Sequence, residues 1–136
     1  MTELDAEDNK LLILARGAMG RTGGSGGAAI RDTDGRTYAA GEVSLKALRL
    51  TALQSAVAAA ISSGAEGFEA AVVIGTRFSD RGVAAVREVS EEARIIFADA
   101  KGTVFDIVDG PVEGDPAARS GIPEGFDLDT ESEVFE

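Results

Sequence analysis

Apolar positions along the chain change spacing several times, and each change predicts an element. Lys10–Arg16 reads as the end of a first helix that Gly17 and Gly20 break, and Gly23-Gly-Ser-Gly-Gly27 is a loop by composition. Ala28–Arg31 and Arg36–Ala40 flank Asp32-Thr-Asp-Gly35, a β-hairpin signature because Asp-Gly supplies the positive φ of a tight turn. Ser44 is the expected cap of a helix over 47–63, in which Leu50, Leu53, Val57 and Ile61 recur at steps of three, four and four. Ala52, Ala56, Ala58, Ala59 and Ala60 make the helix apolar nearly all round, so burial on every side is expected, with Gly64 ending it. Ala70-Ala-Val-Val-Ile-Gly75 predicts a central strand covered on both faces. Gly82–Ala93 predicts a more polar helix with Glu88, Glu91 and Glu92 outward, Arg94–Ala98 a strand, and Thr103–Val108 another after the turn Asp99–Gly102. The order predicts an α/β fold, one mixed sheet flanked by helices.

Charge divides the chain differently. The 136 residues carry 24 Asp/Glu against 13 Lys/Arg, a net charge of −11. Residues 1–8 hold four acids and no base, residues 106–136 ten acids and one base, so the body between them is near neutral. This predicts an acidic N-terminal extension over 1–9, one domain over 10–108, and an acidic Pro/Gly-containing tail over 109–136. In that tail Val112, Ile122, Phe126, Leu128, Val134 and Phe135 are the apolar handles, and partial docking on the body, a subunit or a partner protein is expected. The acidity argues against a nucleic-acid surface. No basic leader precedes an apolar run and no apolar stretch is long enough to cross a bilayer, so no membrane is expected and the cytoplasm is the default location.

The chain lacks His and Cys altogether. Disulfides, Cys/His metal sites and Cys/His nucleophile–base pairs are therefore excluded. The Gly-rich loop has no phosphate-binding Lys, and Gly24-x-Gly26-x-x-Ala29 precedes a hairpin rather than the helix that a dinucleotide fingerprint must open. Asp32 and Asp34 serve a turn, and the three Glu of the polar helix belong to a solvated face.

Several strings, in this order, resemble the small, oligomeric bacterial cytidine deaminases. Gly27-Ala-Ala-Ile30 followed by Asp34-Gly-Arg36 is similar to the family's first hairpin, G-A-A-L-x-x-x-D-G-R. Ser55-Ala-Val-Ala-Ala-Ala-Ile-Ser-Ser-Gly64 resembles T-A-I-x-x-A-V-S-x-G, and Gly67-Phe-Glu-Ala-Ala-Val-Val73 resembles the entry to a strand, F-x-A-I-A-V-V. Arg87-Glu-Val-Ser-Glu-Glu92 corresponds to R-Q-V-L-x-E, and Gly121-Ile-Pro-Glu-Gly-Phe126 echoes L-L-P-x-x-F. The resemblance covers about residues 10–126. It implies a three-layer α/β/α fold with one mixed sheet of about five strands.

The family's activity uses a zinc-activated water and a Glu that shuttles the proton at C4 of cytosine. Its ligands come from C-A-E at one helix start and P-C-x-x-C at the next. The resemblance puts Thr51, Val83 and Val86 at the three Cys positions, Leu53 at the catalytic Glu and Gly82 at the Pro. Thr and two Val cannot make a tetrahedral zinc site, and leucine cannot carry a proton. No metal, no cofactor and no catalytic residue are therefore expected. Glu42 and Ser44 fall at the family's ribose-binding N-x-E, as vestigial substrate positions, and Gly24 falls at its ring-stacking Phe, whose loss removes about 1–3 kcal/mol of base stacking.

The resulting expectation is a non-catalytic deaminase-like protein kept for assembly or partner binding. A dimer or tetramer is expected by resemblance, with the Ala-rich helix over 47–63 as one packing surface or as an ordinary core helix. The alternative is a metal-free binder of a nucleoside, nucleotide or anion at the vestigial pocket, where Arg49, Arg77 and Arg81 stand near two helix starts. An active cytidine deaminase ranks last.

Overall fold

The computed structural model describes residues 4–75 and 80–110. The first helix, α1, runs over Ala6–Thr22. Asp5 caps it by accepting the Asp8 N–H at 2.8 Å, and Gly23 closes it at φ +68° with its N–H turned back to the Met19 and Gly20 carbonyls. Gly17 and Gly20 do not break it. Both face solvent, while Leu11, Leu12, Ala15 and Ala18 are buried. Burying that row outweighs the cost of about 1 kcal/mol for each helical glycine. Residues 6–9 are thus helical, and Asp8 is 3% exposed.

The expected hairpin forms from β1 (Gly27–Asp32) and β2 (Thr37–Gly41), antiparallel with Ile30 opposite Tyr38. Its turn is built on Asp32. One carboxylate oxygen accepts the Asp34 and Arg36 N–H groups at 2.9 Å each, and the other accepts the Tyr38 hydroxyl at 2.8 Å. Burial alone would raise the Asp32 carboxyl, but these three donors outweigh it and hold it below the usual carboxylate range.

A small two-stranded ribbon follows, β3 (Val43–Ser44) with β4 (Arg49–Leu50). Ser44 therefore lies in a strand rather than at a helix cap. Helix α2 is shorter than the apolar run, Ala52–Ser62, and its cap is Thr51. It is also not buried all round: Ala58 and Ala59 face outward and Ile61 is 44% exposed. Small and apolar side chains leave sequence periodicity without a polar face to mark the outside. Strand β5 (Phe68–Ile74) is central, antiparallel to β1 and parallel to β6 (Arg94–Ala98), and β7 (Val104–Asp109) closes the far edge antiparallel to β6. Helix α3 (Gly82–Val89) joins β5 to β6 and ends short of the expected Ala93. Ser90 beyond it accepts the Phe68 N–H at 2.8 Å.

The strand order is β2-β1-β5-β6-β7, a five-stranded mixed sheet. Alternation along β5 sorts two cores. Val72 and Ile74 join Leu11, Leu12 and Ala15 of α1 on one face, and Ala71 and Val73 join Leu53, Ala56, Ala60 and Val86 of α2 and α3 on the other. The α/β/α layering and the five-stranded mixed sheet agree with expectation. At one edge of α1, Asp8 pairs with Arg31 at 3.1 Å and Arg94 at 3.3 Å, while Arg31 reaches Glu69 at 2.8 Å and Arg94 reaches Asp109 at 2.5 Å. Among the described residues no helix is long and apolar enough to cross a membrane. Most of the acidic tail, the string 121–126 and Arg77 lie outside the described residues.

Candidate functional site

The sheet brings the starts of α2 and α3 side by side. Thr51, extended at φ −70° and ψ 167°, uses its hydroxyl oxygen to accept the Gln54 N–H at 3.1 Å. Gln54 Oε1 in return accepts the Thr51 N–H at 2.9 Å, a complete capping box. The same Thr51 hydroxyl donates to Asp80 Oδ1 at 2.6 Å, and that oxygen also accepts the Gly82 N–H at 2.7 Å. Asp80 is 7% exposed. It thus bridges two helix starts, with Thr51 and Asp80 themselves 29 residues apart in the chain.

Beneath this bridge the helices touch. A Cβ on Gly82 would lie 2.6 Å from both Cβ and Cγ of Leu53 and 2.7 Å from the Gln54 nitrogen. Leu53 and Val86 are fully buried in one apolar cluster, and Val83 packs against it half-buried. The four positions that the resemblance assigns to metal ligands and proton shuttle, Thr51, Leu53, Val83 and Val86, are therefore brought to one junction. Their chemistry is a hydrogen-bonded hydroxyl and hydrocarbon.

Above the junction is an open cleft of about 230 Å³, lined by Glu42, Ser44, Arg49, Thr51, Gln54 and Arg81 among others. Glu42 and Ser44 are exposed on its wall. Glu42 turns toward the glycine loop, where Ser25 donates to its carboxylate at 3.5 Å and a Cβ on Gly24 would meet it at 3.3 Å. Arg49 and Arg81 are exposed at the rim. Of the helix-start N–H groups below them, that of Gln54 is engaged by Thr51 and that of Gly82 by Asp80.

The resemblance implies zinc, and the donor set does not fit it. No His or Cys occurs in the chain, the Thr51 oxygen is committed to Asp80 and Gln54, and Val83 and Val86 offer no donor atom. Among the described residues no group of three or more acidic side chains is placed to hold a metal ion. Asp80 is the residue that sequence reasoning passed over. Its signal was present as an acid two residues before a helix start, alongside the Thr51-x-x-Gln54 capping-box pattern, but Ser44 was the expected cap.

Comparison with known proteins follows the same fold. The structure is similar to cytidine deaminase from Burkholderia pseudomallei, with a TM-score of 0.65 and 18% identity over 93% of this chain and 100% of that one. It is similar also to cytidine deaminase from Mycobacterium tuberculosis, with a TM-score of 0.58 and 19% identity over 91% of this chain and 100% of that one. The Mycobacterium leprae enzyme gives 0.58 and 19% over 88% and 100%. No curated protein matches by sequence. A family model described as cytidine deaminase-like matches residues 4–102, nearly the whole of the described body, and the chain belongs to the cytidine deaminase-like family.

Proposed function

We propose that this chain is a non-catalytic member of its family, a cytoplasmic, cofactor-free protein of bacterial type that serves as an assembly or partner-binding scaffold. The observation that carries the reading is the closed junction: Leu53 is fully buried against Gly82 where the resemblance expects a proton-shuttling carboxylate. A fully buried leucine supplies no proton carrier there. Self-association as a dimer or tetramer is supported by the outward Ala58, Ala59 and Ile61 of α2. The acidic segment over 109–136 is the second proposed contact, toward a protein partner rather than nucleic acid. Purified protein supplied with zinc is expected to turn over no cytidine and to run larger than a monomer in light scattering. Measurable zinc-dependent turnover refutes the non-catalytic reading, and a strict monomer refutes self-association. Affinity capture with and without residues 109–136 tests the partner contact; equal capture by both forms removes the tail from it.

A second reading has its own support in the cleft, whose rim carries two exposed cations, Arg49 and Arg81. It is a metal-free binding site for a nucleotide or another anion. Thermal-shift measurements with nucleosides and nucleotides decide it, since a ligand that binds only the folded state must raise Tm. No shift at millimolar ligand removes this reading.

A further inference from the structure

We infer that the Thr51 hydroxyl and the Asp80 carboxylate form a metal-free clasp that holds the N-termini of α2 and α3 together, making the helix junction independent of any divalent ion. The hydrogen bonds form one continuous relay. The Gln54 N–H donates to Thr51 Oγ1, the Thr51 hydroxyl donates to Asp80 Oδ1 at 2.6 Å, and the Gly82 N–H donates to the same oxygen at 2.7 Å. Charge-assisted bonds of this length are about twice as strong as neutral ones. Both helix starts present positive dipole ends, so a buried carboxylate between them is favoured from two sides.

The packing below fits the same role. Gly82 has no side chain where a Cβ would meet Leu53 at 2.6 Å, so α3 approaches α2 more closely than any other residue would allow. An ion linking two helix starts needs free donor atoms directed at it. Here the Thr51 oxygen and the bridging Asp80 oxygen are committed to each other and to backbone N–H groups. The zinc of the family's activity and the atoms present here are therefore in disagreement, and the clasp explains how the junction stays closed. It differs from two ordinary caps in one respect: the residues at the two helix starts are also bonded to each other, so part of the stabilisation of each depends on the other.

The test uses the full chain expressed with zinc in the medium. Metal analysis should find no stoichiometric zinc, and Tm should be the same with EDTA, with added zinc and with neither. Thr51→Val and Asp80→Ala should each lower Tm by about 4–8 °C. The double variant should lose less than the sum of the two single losses, because the Thr51–Asp80 bond is shared while each residue also holds a backbone N–H of its own. Thr51→Ser should retain most of the wild-type Tm. If Asp80→Ala does not fold, Thr51→Val and its rescue by Thr51→Ser carry the test on their own. One zinc per chain with a lower Tm in EDTA overturns the clasp, as do additive losses in the double variant or a Thr51→Val protein as stable as wild type. These readouts concern the helix junction alone, so the clasp and the scaffold reading can fail separately.

Discussion

Gly82→Ala sets helix propensity against packing, and the structure decides the sign. Alanine is favoured over glycine by up to about 1 kcal/mol in a helix, less at its first residue. Against that, the new methyl would stand 2.6 Å from two carbons of Leu53 and 2.7 Å from the Gln54 backbone nitrogen. Carbon atoms prefer about 3.5–4.0 Å, so the overlap is about 1 Å. Leu53 is fully buried and one contact is α2 backbone, so neither neighbour can swing away. Overpacking of this kind costs typically about 1–3 kcal/mol, leaving a net loss of about 1–2 kcal/mol. For a body of this size that is a fall in Tm of about 5–15 °C. Urea and thermal unfolding of the purified variant measure it. Gly20→Ala is the internal control: this glycine is also helical, but nothing lies within 4 Å of its Cβ direction, so Tm should hold or rise. A Gly82→Ala protein as stable as wild type would falsify the close α2–α3 contact and reopen room for a ligand or ion between them.

Three further outcomes are expected. Leu53→Glu, which restores the family's acid, puts an unpaired carboxylate in a fully apolar site; it should cost several kcal/mol and give poorly folded protein without deaminase activity, as read by circular dichroism and turnover. Asp8→Asn removes the shared anion of Arg31 and Arg94; because each arginine keeps a second acid, the loss should fall near the lower end of the usual 3–5 kcal/mol, about 3 kcal/mol by urea titration, and an unchanged midpoint contradicts the buried pairing. Asp32 is held below the usual carboxylate range, so its contribution is fully present above the unfolded value of about 4 and is lost as pH falls through the lower folded one. Stability measured from pH 6 downward should therefore fall less steeply below pH 4 in Asp32→Asn than in wild type, and identical slopes contradict the three-donor cage.

The hairpin and the three inner strands were legible because their determinants are local: Asp-Gly punctuation at the turn and apolar runs of strand length. The same local logic misjudged α1, where exposed Gly17 and Gly20 ride on a helix that sheet burial holds in place. It also misplaced the cap of α2, since Ser44 and Thr51 are both cap-type residues and only the β3–β4 ribbon decides between them. At the site, the loss of ligand-type residues is a property of composition, visible as soon as His and Cys are absent.

What fills their place is not. The sequence by itself determined the fold class, the family resemblance and the absence of thiol or imidazole chemistry, because residue identity and spacing suffice for each. Only the tertiary structure decided that Asp8 is a buried hub rather than part of a solvated end, and that Asp80 joins hands with Thr51 across two helices. Both depend on atoms from residues tens of positions apart meeting within about 3 Å, a distance that the packing of helices on the sheet sets and no local pattern encodes.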